Sequence, residues 1–277
     1  MNRRETTFVV GGQGYIGSAV TAIAADAVTV SRDGSAGTLP WQDFLALLPG
    51  EFEPSVVWLL DGAKHDESAR LTELITALPA RAHVAYVSTC TVYGNVGGDV
   101  CTERTPLSLI TPHARIKAAG EDALGAAGVA TAVLRFGALY GPDPRGLRKD
   151  RVTTWLNEAS DQAQITVPHP THWRGWLHRD QAGRALYAAA AERHLGTFNV
   201  SSSDATFTSA VRPAAELFGA AVVPGAGDDP LDYRIDSTPA RVAGILTELP
   251  GEDLAGCIRA EAERRWPELF RMPGATA

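Results

Sequence analysis

Near its start the chain reads Val9-Val10-Gly11-Gly12-Gln13-Gly14-Tyr15-Ile16-Gly17: an apolar run, a cluster of glycines, then an amphipathic stretch. Both G-x-G-x-x-G (Gly12, Gly14, Gly17) and G-x-x-G-x-x-G (Gly11, Gly14, Gly17) can be laid on it. Between a strand and a helix, such glycines permit a tight turn, close approach of backbone to a pyrophosphate and close helix–strand packing. The helix start then offers N–H groups and positive dipole to the phosphates. The expected chemistry is dinucleotide binding, with Gly11, Gly14, Tyr15, Ile16 and Gly17 as contacts; the bland alternative is a tight turn with no ligand.

The next run, Val28-Thr29-Val30-Ser31-Arg32-Asp33, selects between dinucleotides. An NAD site usually ends this strand on an acid that binds the adenosine ribose hydroxyls. Here the position carries Ser31, and Arg32 follows. A hydroxyl and a guanidinium bind a 2′-phosphate that a carboxylate would repel. NADP(H) is the expected cofactor, with Asp33 keeping NAD(H) as the alternative.

The elements that must position these residues alternate. Candidate strands are Phe8–Val10, Ala27–Ser31, Ser55–Asp61, His83–Thr89 and Val129–Phe136. Between them lie helical patterns over Ile16–Ala25, Glu67–Leu78 and Pro112–Ala127. Apolar strands alternating with helices predict a Rossmann-like, doubly wound α/β parallel sheet covered on both faces. After Gly141 the texture changes to a Gly-, Pro- and charge-rich loop, GPDPRGLRKD, and then to shorter elements. These predict a small C-terminal substrate-binding cap. The expected division is residues 1–145 with parts of 174–202 for the dinucleotide domain, 146–270 mainly for the cap, and a frayed tail at 271–277.

The chain has 277 residues, 45% hydrophobic and 21% charged, with a net charge of −7. That acidity and the lack of a basic block argue against nucleic acid or anionic membrane as a partner. No apolar run approaches the ~18 residues that span a bilayer. Three widely spaced cysteines, Cys90, Cys101 and Cys257, fit a reducing cytoplasm rather than a disulfide framework. A cytoplasmic protein with a small-molecule substrate is the expectation. His169-x-x-His172 with His178 lacks a carboxylate or Cys at ligand spacing, so no metal is expected.

Together these segments resemble the extended short-chain dehydrogenase/reductase family, also called the NAD-dependent epimerase/dehydratase family. The likeness runs from about Thr7 to Pro250. Its motifs are Gly11-x-x-Gly14-x-x-Gly17, Val87-Ser88-Thr89-Cys90-Thr91-Val92-Tyr93-Gly94, Leu134-Arg135-Phe136-Gly137-Ala138-Leu139-Tyr140-Gly141-Pro142, Arg174-Gly175-Trp176-Leu177-His178-Arg179-Asp180 and Gly196-Thr197-Phe198-Asn199-Val200. The resemblance places Thr89 at the catalytic hydroxyl, Tyr93 and Tyr140 near the substrate as candidate proton donors, with Tyr93 counted among the catalytic residues, and Arg174 at a substrate diphosphate. It implies that Lys117 holds the nicotinamide ribose. The family's Tyr-x-x-x-Lys pair reads here His113-x-x-x-Lys117, so the proton-handling role falls to His113 or is vacant.

Spacing i, i+4 puts His113 and Lys117 on one helix face. A lysine lowers a neighbouring phenol's pKa, but beside an imidazole it disfavours the charged form. His113 should therefore be neutral, a competent base and a poor acid. Where the dehydratase branch carries Asp-Glu, this chain has Cys90-Thr91, which disfavours sugar 4,6-dehydration. Only about twenty-four residues separate the second and third strands, so the usual helix and strand there are trimmed, leaving Leu39 or Trp41 for the adenine wall.

Three functions remain open. The main reading is an NADP(H)-dependent oxidoreductase acting on a carbonyl or secondary alcohol of a small or nucleotide-linked, sugar-like substrate. The alternatives are an NAD-dependent sugar-nucleotide epimerase and a cofactor-binding protein without hydride chemistry. Family members often dimerise through the helix carrying the lysine, whose Ala118, Ala119, Ala123 and Leu124 fit close packing in a homodimer.

Overall fold

The apolar runs form strands and the amphipathic ones helices. The computed structural model describes residues 6–50, 53–61, 66–146, 150–227 and 229–270; the tail at 271–277 lies outside them. Strands β1 (Thr6–Val10), β2 (Val28–Ser31), β3 (Leu39–Pro40), β4 (Pro54–Trp58), β5 (His83–Thr89), β7 (Ala130–Phe136) and β11 (Gly196–Val200) make one sheet in the order β11-β7-β5-β4-β1-β2-β3. All its pairings are parallel. Every residue of β4 and β5 is buried, as a sheet covered on both faces requires.

Helices α1 (Gly17–Ile23) and α6 (Arg179–Ala191) cover one face, in a core with Val9, Val20, Val57, Ala85, Leu134 and Leu186. Helices α2 (Trp41–Leu47), α3 (Glu67–Ala77) and α4 (Pro112–Ala126) cover the other, around Phe8, Phe44, Trp58, Leu74, Tyr86 and Leu124. Gly183 on α6 has no side chain because α1 occupies the space: a Cβ there would lie 2.7 Å from Ala19 Cβ and 3.1 Å from Val20 N. Between β2 and β4 the connection is short, as expected, holding only the two-residue β3 and the seven-residue α2.

Chain direction away from β1 reverses at the β1/β4 boundary, since β2 lies on one side of β1 and β4 on the other. Loops leaving the carboxyl ends of such strands part there, and a crevice opens between them. That crevice is the site described below.

A second core lies beyond β7. Strand β8 (Ala138–Tyr140) pairs in parallel with β10 (Trp173–His178), and β10 pairs antiparallel with β12 (Ser203–Thr206). Strands β9 (Gln164–Val167) and β13 (Ala221–Pro224) pair in parallel, as do β6 (Asn95–Cys101) and β14 (Asp232–Ile235). Helices α5 (Arg151–Gln162), α7 (Phe207–Phe218) and α9 (Leu254–Arg265), with α8 (Thr238–Val242) between the last two, complete the chain. Trp155, Leu156, Trp176, Phe207, Val211 and Ile258 fill this core. The stretch 174–202 divides between the two: β10 joins the smaller sheet, and α6 and β11 return to the large one. Among the described residues no helix is long and apolar enough to cross a membrane.

Candidate active site

A cleft of about 980 Å³ runs along the carboxyl ends of the large sheet. Its floor is the glycine turn. Gly11 has φ +87°, a conformation that favours glycine, and its carbonyl accepts from Gly14 N at 2.9 Å. A Cβ on Gly17 would stand 2.2 Å from Gly11 O and 2.6 Å from Gly12 Cα, so nothing larger fits. A Cβ on Gly14 would meet only Gly11 O, at 3.1 Å, with open cleft beyond. The turn leaves an open cradle at Gly11, Gly14 and Gly17, the residues that the sequence reading names as pyrophosphate contacts.

Two arginines from distant elements hold the turn's carbonyls. Arg145 donates from Nη1 to Gln13 O (2.7 Å) and from Nη2 to Gly14 O (3.0 Å), and Asp143 steadies its Nε at 3.1 Å. Arg179 donates from Nη2 to Tyr15 O (3.0 Å) and Ser18 Oγ (2.7 Å). Carbonyl and following N–H point opposite ways in a planar trans peptide. Turning the Gly14 and Tyr15 carbonyls to the arginines therefore turns the N–H groups of Tyr15 and Ile16 away from them. The Tyr15 hydroxyl donates to Gly141 O at 2.5 Å, tying the post-β8 loop to the same turn.

At one end the cleft is lined by Ser31, Arg32, Asp33, Ser35, Trp41 and Arg70. The Ser31 hydroxyl is engaged in shaping its own loop: it pairs with Thr38 Oγ1 at 2.6 Å and accepts from Gly34 N at 3.0 Å. The backbone N–H of Ser35 donates to Asp33 Oδ1 at 3.1 Å and holds that carboxyl below the usual carboxylate range. This end thus presents two guanidiniums, Arg32 and Arg70, the latter paired with Glu73 at 3.0 Å, beside one firmly ionised anion, Asp33. Trp41, of the two residues proposed for the adenine wall, lines the cleft, with the Arg70 guanidinium 5.5 Å from its ring centroid. Leu39 is not part of the lining.

The other end brings together Thr89, His113, Lys117, Phe136, Leu139 and Arg151. Thr89 closes β5, its Oγ1 3.0 Å from Thr91 Oγ1 and accepting from Thr91 N at 3.2 Å. Thr111 caps α4 by accepting from Ala114 N at 3.1 Å, and Pro112 occupies its first turn. This start sets the helical register, in which His113 is exposed at the mouth and Lys117 buried one turn deeper. Partial desolvation by the cleft walls, reinforced by Lys117, holds the His113 imidazole below its ordinary pKa, against the opposing charges of Asp61 and Glu67. The sequence reading names Lys117 as the cause; desolvation is the larger one.

Lys117 is not an open cation. Its Nζ donates to Leu60 O and to Glu67 Oε1, both at 2.8 Å, and lies 5.2 Å from the Tyr86 ring centroid. Glu67, on α3, is 1% exposed, and its Oε1 also receives Trp58 Nε1 (3.0 Å) and the Tyr86 hydroxyl (3.1 Å). Burial pulls the Lys117 ammonium below the ordinary lysine pKa, and the Glu67 carboxylate opposes that pull.

Three residues expected at the substrate lie elsewhere. Tyr93 is fully buried; its hydroxyl donates to Asn199 Oδ1 (2.6 Å) and accepts from Arg135 Nη1 (3.0 Å). Burial raises its pKa well beyond the ordinary phenol, so it is no proton donor to the cleft. Tyr140 is also fully buried, donating to Glu252 O at 2.5 Å. Arg174 turns into the smaller core: it pairs with Asp229, donates to Trp173 O (2.6 Å) and Leu231 O (2.5 Å), and packs between the Phe207 and Tyr233 rings. None of the three lines the cleft. The dimer face also divides: Ala118 and Leu124 are buried in the chain's own core, and Ala119 and Ala123 are exposed, so the four form no single outer stripe.

Cys90 is a buried core residue whose thiol donates to Arg135 O, and burial pushes its pKa up. His169 and His172 stack face to face, centroids 3.4 Å apart. Their nitrogen lone pairs lie in two parallel planes and do not converge on one ion.

Sequence reading missed Arg145, Arg179 and Glu67. Arg179 stood inside the Arg174–Asp180 motif and Glu67 at the start of a helical pattern. Nothing local marks either as supporting the cleft from behind, because their partners lie 164 and 50 residues away.

The model of the NAD dependent epimerase/dehydratase family matches residues 63–201, half of the chain. No curated protein sequence matches. Solved structures match over nearly the whole chain at low identity. The dTDP-glucose 4,6-dehydratase of Bacillus anthracis, in complex with NAD, is 17% identical with a TM-score of 0.73, covering 96% of this chain and 100% of that one. MoeE5 in complex with UDP-glucuronic acid and NAD is 22% identical with a TM-score of 0.73, covering 94% and 99%. The UDP-N-acetylglucosamine 4-epimerase of Bacillus cereus is 17% identical with a TM-score of 0.72, covering 93% and 98%. At these identities the likeness is one of fold.

Proposed function

Since this chain belongs to the NAD-dependent epimerase/dehydratase family, we propose that it binds a nicotinamide dinucleotide and catalyses hydride transfer at a secondary alcohol or carbonyl of a small, sugar-like substrate. The observation that carries this reading is one continuous cleft holding the glycine turn at one side and Thr89, His113 and Lys117 at the other. NAD(H) is the cofactor we favour. Asp33 stands ionised beside Arg32, so a 2′-phosphate placed there meets a carboxylate that repels it. Two of the structural relatives hold NAD. NADP(H), expected from Ser31-Arg32, is the second reading, favoured by Arg32 lining the cleft.

Bound there, the nicotinamide ring supplies the hydride acceptor or donor. Thr89 Oγ1 donates to the substrate oxygen and fixes it. His113, neutral at the mouth, takes the hydroxyl proton in oxidation; once charged it is the acid that returns a proton in the reverse half. The same imidazole therefore serves both halves of an epimerisation. Lys117, with two of its three N–H groups on Leu60 and Glu67, has one left for the cofactor ribose. With Arg174 withdrawn, β10 brings no cation to a substrate diphosphate, which favours a smaller sugar-like molecule over a nucleotide-linked one.

The test begins with fluorescence titration of NADH and NADPH, followed by turnover of sugars, sugar phosphates and nucleotide sugars. Wild-type protein is expected to bind NADH more tightly, and His113→Ala to retain binding and lose turnover. Oxidation is expected to rise with pH as His113 loses its proton, with a midpoint below the ordinary imidazole value of about 6.5. Binding of neither dinucleotide ends the proposal. Binding without turnover on any of these substrates transfers support to the non-redox reading.

A further inference from the structure

Lysine is among the residues least often buried, yet Lys117 is 2% exposed and its ammonium stands at the end of a cleft. An ammonium in such a place sheds its proton unless something holds it charged. Among the described residues, the groups facing it are Glu67 from α3, Tyr86 from β5, Asp61 after β4, and His113 on its own helix. Glu121, one turn further along α4, is committed to Arg135 and Ser88. Glu67 alone combines full burial with a 2.8 Å contact to Nζ.

Glu67 is itself held on several sides. Trp58 Nε1 and the Tyr86 hydroxyl donate to the oxygen that receives Lys117, and the carboxylate stands at the first turn of α3, where the helix dipole favours an anion. Its other oxygen, Oε2, is buried without a partner among the described residues. Such a carboxylate depends on the ammonium as much as the ammonium depends on it.

We propose that Glu67 is a positioning residue for the proposed hydride-transfer site: its buried carboxylate keeps Lys117 charged and fixes Nζ so that the one remaining N–H faces the cleft. The assignment rests on the dinucleotide reading for its purpose, but not for its first measurement. A charged donor binds a ribose hydroxyl roughly twice as strongly as a neutral one. A lysine allowed to neutralise would also relax toward other rotamers, because its third contact would no longer be set by the ion pair.

The chain has three lysines, Lys64, Lys117 and Lys149, so the titration of each Cε can be followed by carbon NMR, with Lys117→Met assigning the signal. In the wild type Lys117 is expected to titrate below the ordinary lysine range yet to be charged at neutral pH; a neutral Lys117 there overturns the proposal without any variant. In Glu67→Gln its midpoint is expected to fall by roughly one to three pH units, and in Glu67→Asp by less. An unchanged midpoint in the folded Gln variant, or in the Asp variant where Gln does not fold, overturns it. The second readout is dinucleotide affinity against pH. Glu67→Gln is expected to approach wild-type affinity at low pH and to lose about tenfold as pH rises through the lowered midpoint. An equal loss at every pH marks a merely structural residue and overturns the proposal. Wild-type protein that binds no dinucleotide fells the proposed function instead, and the Lys117 midpoints still decide the role of Glu67.

Discussion

The two ends of the functional region treat their polar residues in opposite ways. Around the glycine turn and α4, the groups read from the sequence stand in the cleft: Gly11, Gly14, Gly17, Ser31, Arg32, Thr89, His113 and Lys117 all line it. Toward the second core, Tyr93, Tyr140 and Arg174 occupy their motif positions and yet spend every visible hydrogen bond on the protein itself. A motif fixes where the backbone passes. Whether the side chain is free depends on what other segments offer it, and at this end Asn199, Glu252 and Asp229 take it first.

The comparison is broken most directly at Arg174. Arg174→Ala is expected to cost about 3–5 kcal/mol of unfolding free energy, because it leaves Asp229 partly buried beside two unanswered carbonyls. Dinucleotide affinity of the folded fraction should not change. A stable variant with impaired substrate binding would return Arg174 to the substrate site. Gly17→Ala attacks the opposite end: its Cβ would overlap Gly11 O, so about 3 kcal/mol of destabilisation is expected, with dinucleotide binding lost in parallel in urea melts and titrations.

A smaller effect sharpens the contrast. Arg145→Ala removes a partly exposed guanidinium from the Gln13 and Gly14 carbonyls and should weaken dinucleotide binding about tenfold, with stability changed by less than about 1 kcal/mol. Calorimetric titration beside a thermal melt separates the two. The smallest is a pH effect in the second core. Burial raises the Asp204 carboxyl to about 6. A carboxyl whose folded pKa lies above its unfolded one favours the folded state at low pH, and that advantage is lost as pH rises from about 4 through 6. Asp204→Asn, which keeps an acceptor for Ile235 N, should therefore match wild type at pH 4 and gain roughly 1 kcal/mol at pH 7. Equal stability at both pH values would remove Asp204 as a source of strain.

Legibility in the sequence followed the same divide. The strands and helices were readable because their signals are local: an apolar run at β5, a Thr-Pro start at α4, glycines at a turn that admits nothing else. The shortened connection after β2 was a matter of counting. Glu67, Arg145 and Arg179 were not readable, since each acts on a partner far along the chain and carries no spacing of its own. The replacement of tyrosine by His113 was visible, but the buried carboxylate that sits behind Lys117 needed coordinates.

Arg179 and Gly183 have a consequence for how the protein comes into being. The turn from Gly11 to Gly17 is held from behind by a helix that follows it by more than 160 positions, close-packed because Gly183 admits α1. During synthesis the opening strand and its glycines leave the ribosome long before Arg179 exists. The nascent chain thus carries the most recognisable segment of the protein in an unfinished shape, and ligand capture becomes an event that waits for α6 to emerge.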